Sequence, residues 1–251
     1  MAVGDDDAAL ILRHVDALSA GDLRALAAYQ RTTPATVLCQ AGGYDTIVGL
    51  NGAPAPLLHY RLDGFGVALA FHPADFIQVN GPVNADLVAT AIAWLGVEPR
   101  DRVVDLFCGI GNFTLPLARR GAHVLGLEGA DELVQRARDN AARNALIGQL
   151  QFETADLYAE PVDSAVRAAF AGVNKVLLDP PRTGAGAVLD LVIAANVERV
   201  AYVSCHPVSF ARDAARLRKA GFTLTKVRVF DMFPHTTHVE TLGVFERPWS
   251  S

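Results

Sequence analysis

The stretch that decides the fold is Val103-Val-Asp-Leu-Phe-Cys-Gly-Ile-Gly-Asn-Phe113. Its first five residues form a largely apolar run, as in a buried strand, and its two glycines permit a tight turn. Residues 113–120 then predict a helix that Gly121 closes. A strand that leads through a glycine turn into a helix is typical of α/β proteins. The sequence therefore predicts an α/β fold from about residue 100 onward.

The same alternation of strands and helices continues toward the end of the chain. It implies a mostly parallel, doubly wound, Rossmann-like sheet that is covered on both faces, with ligands bound at the carboxyl ends of its strands. The further predicted strands are residues 123–128, 150–154, 175–178 and 199–203, with a closing pair at 222–230 and 239–245. The further predicted helices are residues 131–145, with Asp131 as a cap, and 208–220.

Residues 1–74 have a different pattern. Residues 8–18 and 22–29 predict helices, and short strand-like runs follow at 36–40, 57–62 and 66–71. This is too little for an independent domain. We therefore predict a partial α+β lobe over residues 1–74 and a second domain over residues 75–251.

Composition limits the class of protein. The chain has 251 residues, of which 51% are hydrophobic, and its formal net charge is −5. No apolar run reaches the ~18 residues of a membrane span, and the acidic N-terminus lacks the basic start of a signal peptide. We therefore expect a cytoplasmic protein without a membrane partner. Its three cysteines lack the spacing of metal ligands, so we expect neither a disulfide framework nor a metal site.

The glycine turn and the strand after it predict a cofactor site. Gly109 and Gly111 let the backbone come close to a ligand, and Glu128 ends the next strand, where it can accept hydrogen bonds from two ribose hydroxyls. Dinucleotide enzymes use the same geometry. Two details favour S-adenosylmethionine over a nicotinamide: Asp105 precedes the glycines, where it could meet a cationic ligand, and Thr114 replaces the third glycine of the dinucleotide pattern.

Two other side chains near this turn have expected roles. Asp156 follows the third strand and is placed to meet an adenine amine. Cys108 is expected to be a small packing residue, because buried cysteines are usually inert.

Two further motifs point to chemistry on a nucleobase. Asp179-Pro-Pro at the end of the fourth strand occurs in enzymes that methylate nucleobases. Amino methyltransferases usually have an aromatic residue next, where this chain has Arg182, and cytosine-C5 methyltransferases have a cysteine in this loop, which is absent here. Cys205 ends the fifth strand just before a helix, whose N-terminus should lower the pKa of the thiol.

A thiolate in this place suits pyrimidine C5 chemistry. Addition of a thiolate at C6 turns C5 into a nucleophile that can accept a methyl group, and a base must then remove the C5 proton. Glu240, in His238-Val-Glu240, is the best candidate for that base. His235 and His238 could either orient this loop or be structural.

Together these motifs resemble the RNA uracil-C5 methyltransferases, from about residue 8 to 247. The resemblance rests on Asp75-Phe-Ile-Gln-Val-Asn80, Asp105-Leu-Phe-Cys-Gly-Ile-Gly-Asn-Phe113, Leu178-Asp-Pro-Pro-Arg182, Ser204-Cys-His-Pro207 and His238-Val-Glu240. It implies a class I S-adenosylmethionine-dependent methyltransferase fold, with Cys205 as nucleophile and Glu240 as base. It places Gln78, Phe107, Gly109, Asn112, Glu128, Asp156 and Asp179 at the cofactor, and Phe76, Asp179 and Arg182 at the substrate.

Within the family, the sequence looks most like the 23S rRNA branch, and the tRNA branch is the alternative. The rRNA enzymes carry an N-terminal oligonucleotide-binding barrel and a four-cysteine iron–sulfur cluster, neither of which fits this chain. The resemblance therefore suggests a fragment of a longer parent, which could hold such a cluster. A missing basic module would also account for the acidic charge. His206 stands where asparagine is commoner, a change that should be tolerated.

Two other hypotheses stay open at this point. A nicotinamide-dependent oxidoreductase could use a similar sheet, and a thermal-shift comparison of the two cofactors would separate the two enzymes. A fragment that binds the cofactor but not RNA is the third possibility, which an RNA titration at two salt concentrations would test. A monomer without a protein partner is expected in each case.

Overall fold

The computed structural model describes residues 1–247 and divides the chain into two compact units. The first unit comprises Met1–Arg61 and Ala68–Ile77. The second comprises Leu62–Val67 and the chain from Gln78 onward. The predicted division after residue 74 is a single boundary, whereas residues 62–67 belong to the second unit although residues on both sides of them belong to the first. The domain division therefore stays a prediction.

A four-stranded sheet and one helix form most of the first unit. Its elements are β1 (Ala2–Val3), β2 (Ala8–Arg13), α1 (Ala20–Gln30), β3 (Thr36–Gln40) and β4 (Ile47–Gly49), with the strands in the order β1-β2-β3-β4. Ser19 caps α1 in a capping box with Asp22, so the helix begins before the predicted residue 22. A two-stranded sheet follows, made of β5 (Leu58–Leu62) and β6 (Val67–Phe71).

The helix predicted over residues 8–18 is wrong, because β2 occupies its first half. β2 pairs with β1 on one side and runs parallel to β3 on the other, so its backbone groups are satisfied by two neighbours. A short apolar run is compatible with either a buried helix or a strand, and periodicity alone does not separate them. The tertiary pairing decides the structure here.

The second unit is a seven-stranded sheet with helices between its strands. After α2 (Gly81–Leu95) the elements are β7 (Arg102–Leu106), α3 (Thr114–Arg119), β8 (His123–Glu128), α4 (Asp131–Arg143), β9 (Leu150–Thr154), α5 (Ser164–Ala169), β10 (Lys175–Leu178), α6 (Val188–Ala194), β11 (Arg199–Ser204), α7 (Pro207–Lys219), β12 (Thr223–Phe230) and β13 (Glu240–Glu246). Every strand predicted from residue 100 onward is present, with ends that differ by at most one residue.

The strand order is β12-β13-β11-β10-β7-β8-β9. The five strands from β11 to β9 are parallel, and β13 and β12 close the sheet in antiparallel fashion. The order reverses at β7, between β8 and β10, which is the position where open α/β sheets bind their ligands. All four residues of β10 are buried, as expected for the middle of a sheet covered on both faces.

Two details of the helices differ from the prediction. Asp131 is the first residue of α4 and not its cap; the cap position is Ala130, which has no side-chain hydrogen bond to offer. The short helices α5 and α6 and the long, apolar α2 were not predicted.

Within residues 1–247, no helix has the length and apolar character needed to cross a membrane.

Candidate active site

The sheet brings the ends of four strands to one edge. Leu178 of β10 lies opposite Leu106 of β7 and Tyr202 of β11, so the residues that follow these strands emerge side by side. β13 is antiparallel to β11, so its first residue, Glu240, lies at this same edge. The candidate residues therefore meet although they are spread over more than 130 positions of the sequence. They are Phe107, Asp179, Cys205 and Glu240.

The turn after β7 has the left-handed backbone that its glycines permit. Phe107, Gly109 and Gly111 have φ values of 63°, 53° and 96°. A Cβ at Gly109 would meet no other atom within 4 Å, whereas a Cβ at Gly111 would overlap the side chain of Leu115. Gly109 therefore borders open space where a ligand can approach the backbone, and Gly111 allows the turn to pack against the next helix.

Glu128 is held at the end of β8 by backbone hydrogen bonds. One carboxylate oxygen accepts from the N–H of Gly129 at 2.8 Å and of Ala130 at 3.2 Å. The other accepts from the N–H of Gly109 at 3.1 Å. The carboxylate is thus attached to the glycine turn, at the strand end where the sequence predicts a contact with a ribose.

Asp105 is a fully buried carboxyl next to this turn. One of its oxygens accepts a 2.5 Å hydrogen bond from the Thr114 hydroxyl, and the other, Oδ1, has no partner in residues 1–247. Burial raises the pKa of Asp105 to about 8, and the neighbouring charges of Asp179 and Glu128 add to this effect. A buried carboxyl with an unused oxygen suits a ligand that carries a hydrogen-bond donor or a positive charge.

Replacing Asp105 by asparagine should flatten the dependence of stability on pH. The pKa of Asp105 in the folded protein is about 8 and its ordinary value is 3.8, so between these pH values only the unfolded chain releases the proton. The contribution of this group to the free energy of unfolding is present at low pH and falls as the pH rises toward about 8. Urea unfolding of the ligand-free wild type and of Asp105→Asn, at pH about 6 and about 8.5, measures this slope; equal slopes would contradict the prediction.

Three other polar side chains predicted to bind the cofactor are held by hydrogen bonds within the second unit. Gln78 Nε2 donates to Asp179 Oδ2 at 3.5 Å, while Gln78 Oε1 is buried and accepts no hydrogen bond from the described part of the chain. Asn112 exchanges two hydrogen bonds of 2.9–3.0 Å with Asn84 of α2. Asp156 accepts the N–H of Tyr158 at 2.9 Å. These hydrogen bonds fix the orientation of the Gln78, Asn112 and Asp156 side chains within the second unit.

Cys205 lies half-buried at the end of β11, and its environment differs from the prediction. Burial raises the pKa of the thiol, the carboxyls of Glu240 and Asp179 raise it further, and Arg182 opposes them. The prediction of a lowered pKa is therefore wrong. The physical reason is that burial and the two nearby carboxyls oppose the thiolate. At the N-terminus of α7, moreover, Pro207 has no N–H, and the N–H of Ser209 is already bonded to His206 Nδ1 at 3.3 Å. His206 thus caps the helix in the way an asparagine would.

Glu240, which is buried, and the half-buried Asp179 form a pair of carboxyls beside Cys205. Burial raises the pKa of Glu240 to about 8 and that of Asp179 to about 7, and the charge of Asp179 adds to the shift at Glu240. Glu240 Oε1 is buried and has no hydrogen-bond partner among residues 1–247. Two adjacent carboxyls that leave water disfavour a second negative charge. The pair therefore retains protons near neutral pH.

Arg182 is the cation that faces this group, and a histidine orients it. Its Nη2 donates to the ring of His238, 2.8 Å from Nδ1. The ring of His238 in turn lies edge-on to Phe233, with 6.2 Å between ring centroids. The sequence left the role of His238 open between orienting and structural; the contact with Arg182 favours the orienting role.

Some site residues lie elsewhere or were not foreseen. Phe76 belongs to the first unit, where 74% of its surface is exposed, so its stacking on a base stays a prediction. Sequence reasoning did not assign site contacts to Thr114, Asn84 and Tyr158. The contacts of Asn84 with Asn112 and of Tyr158 with Gly184 join positions far apart in the chain, and no local motif signals such a contact.

Comparisons with known proteins agree with this geometry. Residues 62–247 match the model of the family described as tRNA (Uracil-5-)-methyltransferase. The 23S rRNA (uracil(1939)-C(5))-methyltransferase RlmD of Alkalilimnicola ehrlichii is 47% identical over 98% of this chain and 55% of its own length. The protein of the same name from Hahella chejuensis is 42% identical over 98% of this chain and 56% of its own. The chain thus spans about half the length of the curated relatives it matches.

Solved structures give the same fold. The tRNA (uracil-54, C5)-methyltransferase of Pyrococcus abyssi, in complex with S-adenosyl-L-homocysteine, has a TM-score of 0.67 and 27% identity, over 84% of this chain and 50% of that one. TYW2 of M. jannaschii, in complex with AdoMet, has a TM-score of 0.57 and 19% identity, over 86% of this chain and 94% of that one, and supports the fold alone. The predicted fold class is confirmed, and the chain belongs to the tRNA (uracil-5-)-methyltransferase family.

Proposed function

We propose that this chain carries the catalytic part of an S-adenosylmethionine-dependent RNA methyltransferase that modifies C5 of a uracil. The observation that carries the proposal is the convergence of Cys205, Asp179 and Glu240 at one edge of the sheet, beside the glycine turn of β7. A thiol and a buried carboxyl are the two groups that uracil C5 chemistry requires.

The residues of the glycine turn fit S-adenosylmethionine. Two buried oxygens, Asp105 Oδ1 and Gln78 Oε1, lack partners among residues 1–247 and can accept hydrogen bonds from a ligand. Open space at Gly109 and the fixed carboxylate of Glu128 provide room and a ribose contact. The residues that we assign to this site are Gln78, Phe107, Gly109, Asn112, Glu128, Asp156 and Asp179. When bound, the cofactor supplies a methyl group on a positively charged sulfur.

Cys205 starts the reaction on the base. After the thiol loses its proton, Sγ forms a bond to C6 of the uracil, and the electrons of the C5–C6 double bond move toward C5 and O4. This makes C5 able to accept a methyl group. The cation of Arg182 lowers the pKa of the thiol and thereby favours the thiolate that begins this step.

Glu240 ends the reaction. Its carboxylate takes the proton from C5, the double bond between C5 and C6 forms again, and the bond between C6 and Sγ breaks. The thiolate leaves, and the methylated base is released. Asp179 lies beside both Glu240, the general base, and Gln78. We therefore assign Asp179 to both cofactor and substrate recognition.

The names of the relatives support RNA as the partner. They favour 23S rRNA, and the solved tRNA enzyme keeps tRNA as the alternative. We assign residues 1–74 to an RNA-facing lobe and residues 75–251 to the methyltransferase domain. A fragment that needs the rest of a longer protein for activity is the other candidate, since the relatives are nearly twice as long.

Transfer of a labelled methyl group tests the proposed function. The chain, S-adenosylmethionine with a labelled methyl group, and either 23S rRNA fragments or tRNA are incubated and the RNA is digested to nucleosides. We expect label in 5-methyluridine from the rRNA. Label only in tRNA-derived 5-methyluridine would overturn the choice of RNA, and label in any other nucleoside would overturn the reaction.

The rate of methylation should rise with pH. Glu240 acts as a base only when ionised, and burial raises its pKa to about 8; the Cys205 thiol, whose pKa is also raised, must lose a proton as well. We therefore expect kcat/KM to increase by up to about a hundredfold per pH unit below pH about 8, and by about tenfold per pH unit above it until the thiol is ionised. Measurements between pH about 6.5 and about 9 check this, and a flat profile would contradict it.

A further inference from the structure

A tight turn presents Arg182. The N–H of Gly184 donates to the carbonyl of Pro181 at 2.9 Å, which places Arg182 and Thr183 at the two corners. Gly184 has a φ of 86°, and a Cβ there would overlap Arg212 of α7. The conformation of this turn, residues 181–184, therefore sets the direction in which Arg182 leaves the backbone.

Tyr158 holds this turn from the cofactor side. Its hydroxyl donates to the carbonyl of Gly184 at 2.6 Å and lies 3.0 Å from Thr183 Oγ1. Its ring lies 5.6 Å from that of Phe107 between centroids, and its N–H donates to Asp156. Tyr158 thus contacts two residues assigned to the cofactor and the turn that carries Arg182.

Helix α7 holds the same turn from the other side. Arg212 Nη2 donates to the carbonyl of Thr183 at 2.7 Å. Asp213, fully buried, accepts the N–H of Ala185 at 2.9 Å and the Tyr202 hydroxyl at 2.7 Å. These contacts do not involve Tyr158. Loss of the Tyr158 hydroxyl should therefore loosen the turn on one side only, without unfolding it.

We propose that Tyr158 is a positioning residue that couples the cofactor edge, Phe107 and Asp156, to the turn that presents Arg182 to RNA. The inference rests on the proposed function and deepens it. A bound cofactor restrains Phe107 and Asp156, which contact Tyr158. Tyr158 in turn restrains Gly184 through its hydroxyl. Cofactor binding thereby orders Arg182 before the RNA arrives.

Tyr158→Phe tests the coupling, because it retains the ring and removes only the hydroxyl. Hydrogen exchange of residues 181–187 is measured with and without S-adenosylmethionine, and calorimetry gives the affinity for the cofactor. In the wild type the cofactor should slow this exchange. In the variant we expect most of that protection to be lost, the affinity to change less than about twofold, and kcat/KM for RNA to fall about fivefold, as for one lost hydrogen bond.

Tyr29→Phe is the matched control, since it removes a hydroxyl from a half-exposed tyrosine of α1 in the first unit and should change none of these quantities. Full cofactor protection of residues 181–187 in Tyr158→Phe would overturn the inference and leave the proposed function intact. An affinity that falls as much as kcat/KM would also overturn it, because Tyr158 would then serve only cofactor binding. A wild-type chain that does not bind S-adenosylmethionine would overturn both.

Discussion

Replacing Cys205 by alanine is expected to reduce methylation by at least about 10⁴-fold, because the other cysteine near this edge, Cys108, is buried and the pKa of its thiol is raised well above its ordinary value. The same substitution should abolish the covalent adduct with RNA that contains 5-fluorouracil. Fluorine cannot leave C5 as a cation, so the reaction stops while Sγ is still bonded to C6. Intact-mass measurement of the protein after incubation with a fluorinated 23S rRNA fragment and S-adenosylmethionine detects the adduct.

Two variants serve as controls for this experiment. Cys205→Ser retains the size of the side chain but not the nucleophilicity of a thiolate, and it should behave like alanine. Cys108→Ser changes a buried cysteine whose pKa is raised well above its ordinary value. In this variant the adduct on Cys205 should form as in the wild type. Because Cys205 is only half-buried and forms no disulfide, both Cys205 variants should fold and bind the cofactor. An adduct that survives in Cys205→Ala would exclude this cysteine as the nucleophile.

Glu240→Gln is expected to give the second largest effect, a loss of about 10²- to 10⁴-fold in turnover. Addition of Cys205 to the base does not need this carboxylate, whereas removal of the C5 proton does. The variant should therefore accumulate a covalent adduct on ordinary uracil RNA, with a mass that includes the added methyl group. The wild type should release its product under the same conditions.

Asp179→Asn separates the two carboxyls of the pair. It removes a neighbouring charge that raises the pKa of Glu240, so the rise of kcat/KM with pH should move to lower pH in this variant. It should not trap the methylated adduct, since Glu240 is still present. If Glu240→Gln turned over normally, or if Asp179→Asn alone trapped the adduct, Asp179 would be the base and the assignment of Glu240 would be wrong.

Local sequence accounts for most of the second unit. The bounds of β8, β9 and β10 agree with the prediction because short, β-rich apolar runs lie between clear helix and turn signals. The same reasoning failed at residues 8–13, where an apolar run pairs with neighbours on both sides as β2. It also failed at Asp131, since a side chain one position inside the helix cannot occupy the cap.

The sequence by itself determined which chemical groups are present and at which strand ends they stand. The alternation of strands and helices places Asp179 and Cys205 after neighbouring parallel strands, and that alone predicts that they meet. Only the tertiary structure decided how these groups are charged and what holds them. The pKa of the Cys205 thiol is raised because burial and two carboxyls outweigh the charge of Arg182 and a helix that begins with Pro207, which has no N–H. Likewise, the contact of Tyr158 with Gly184 joins positions 26 residues apart, and folding alone brings them together.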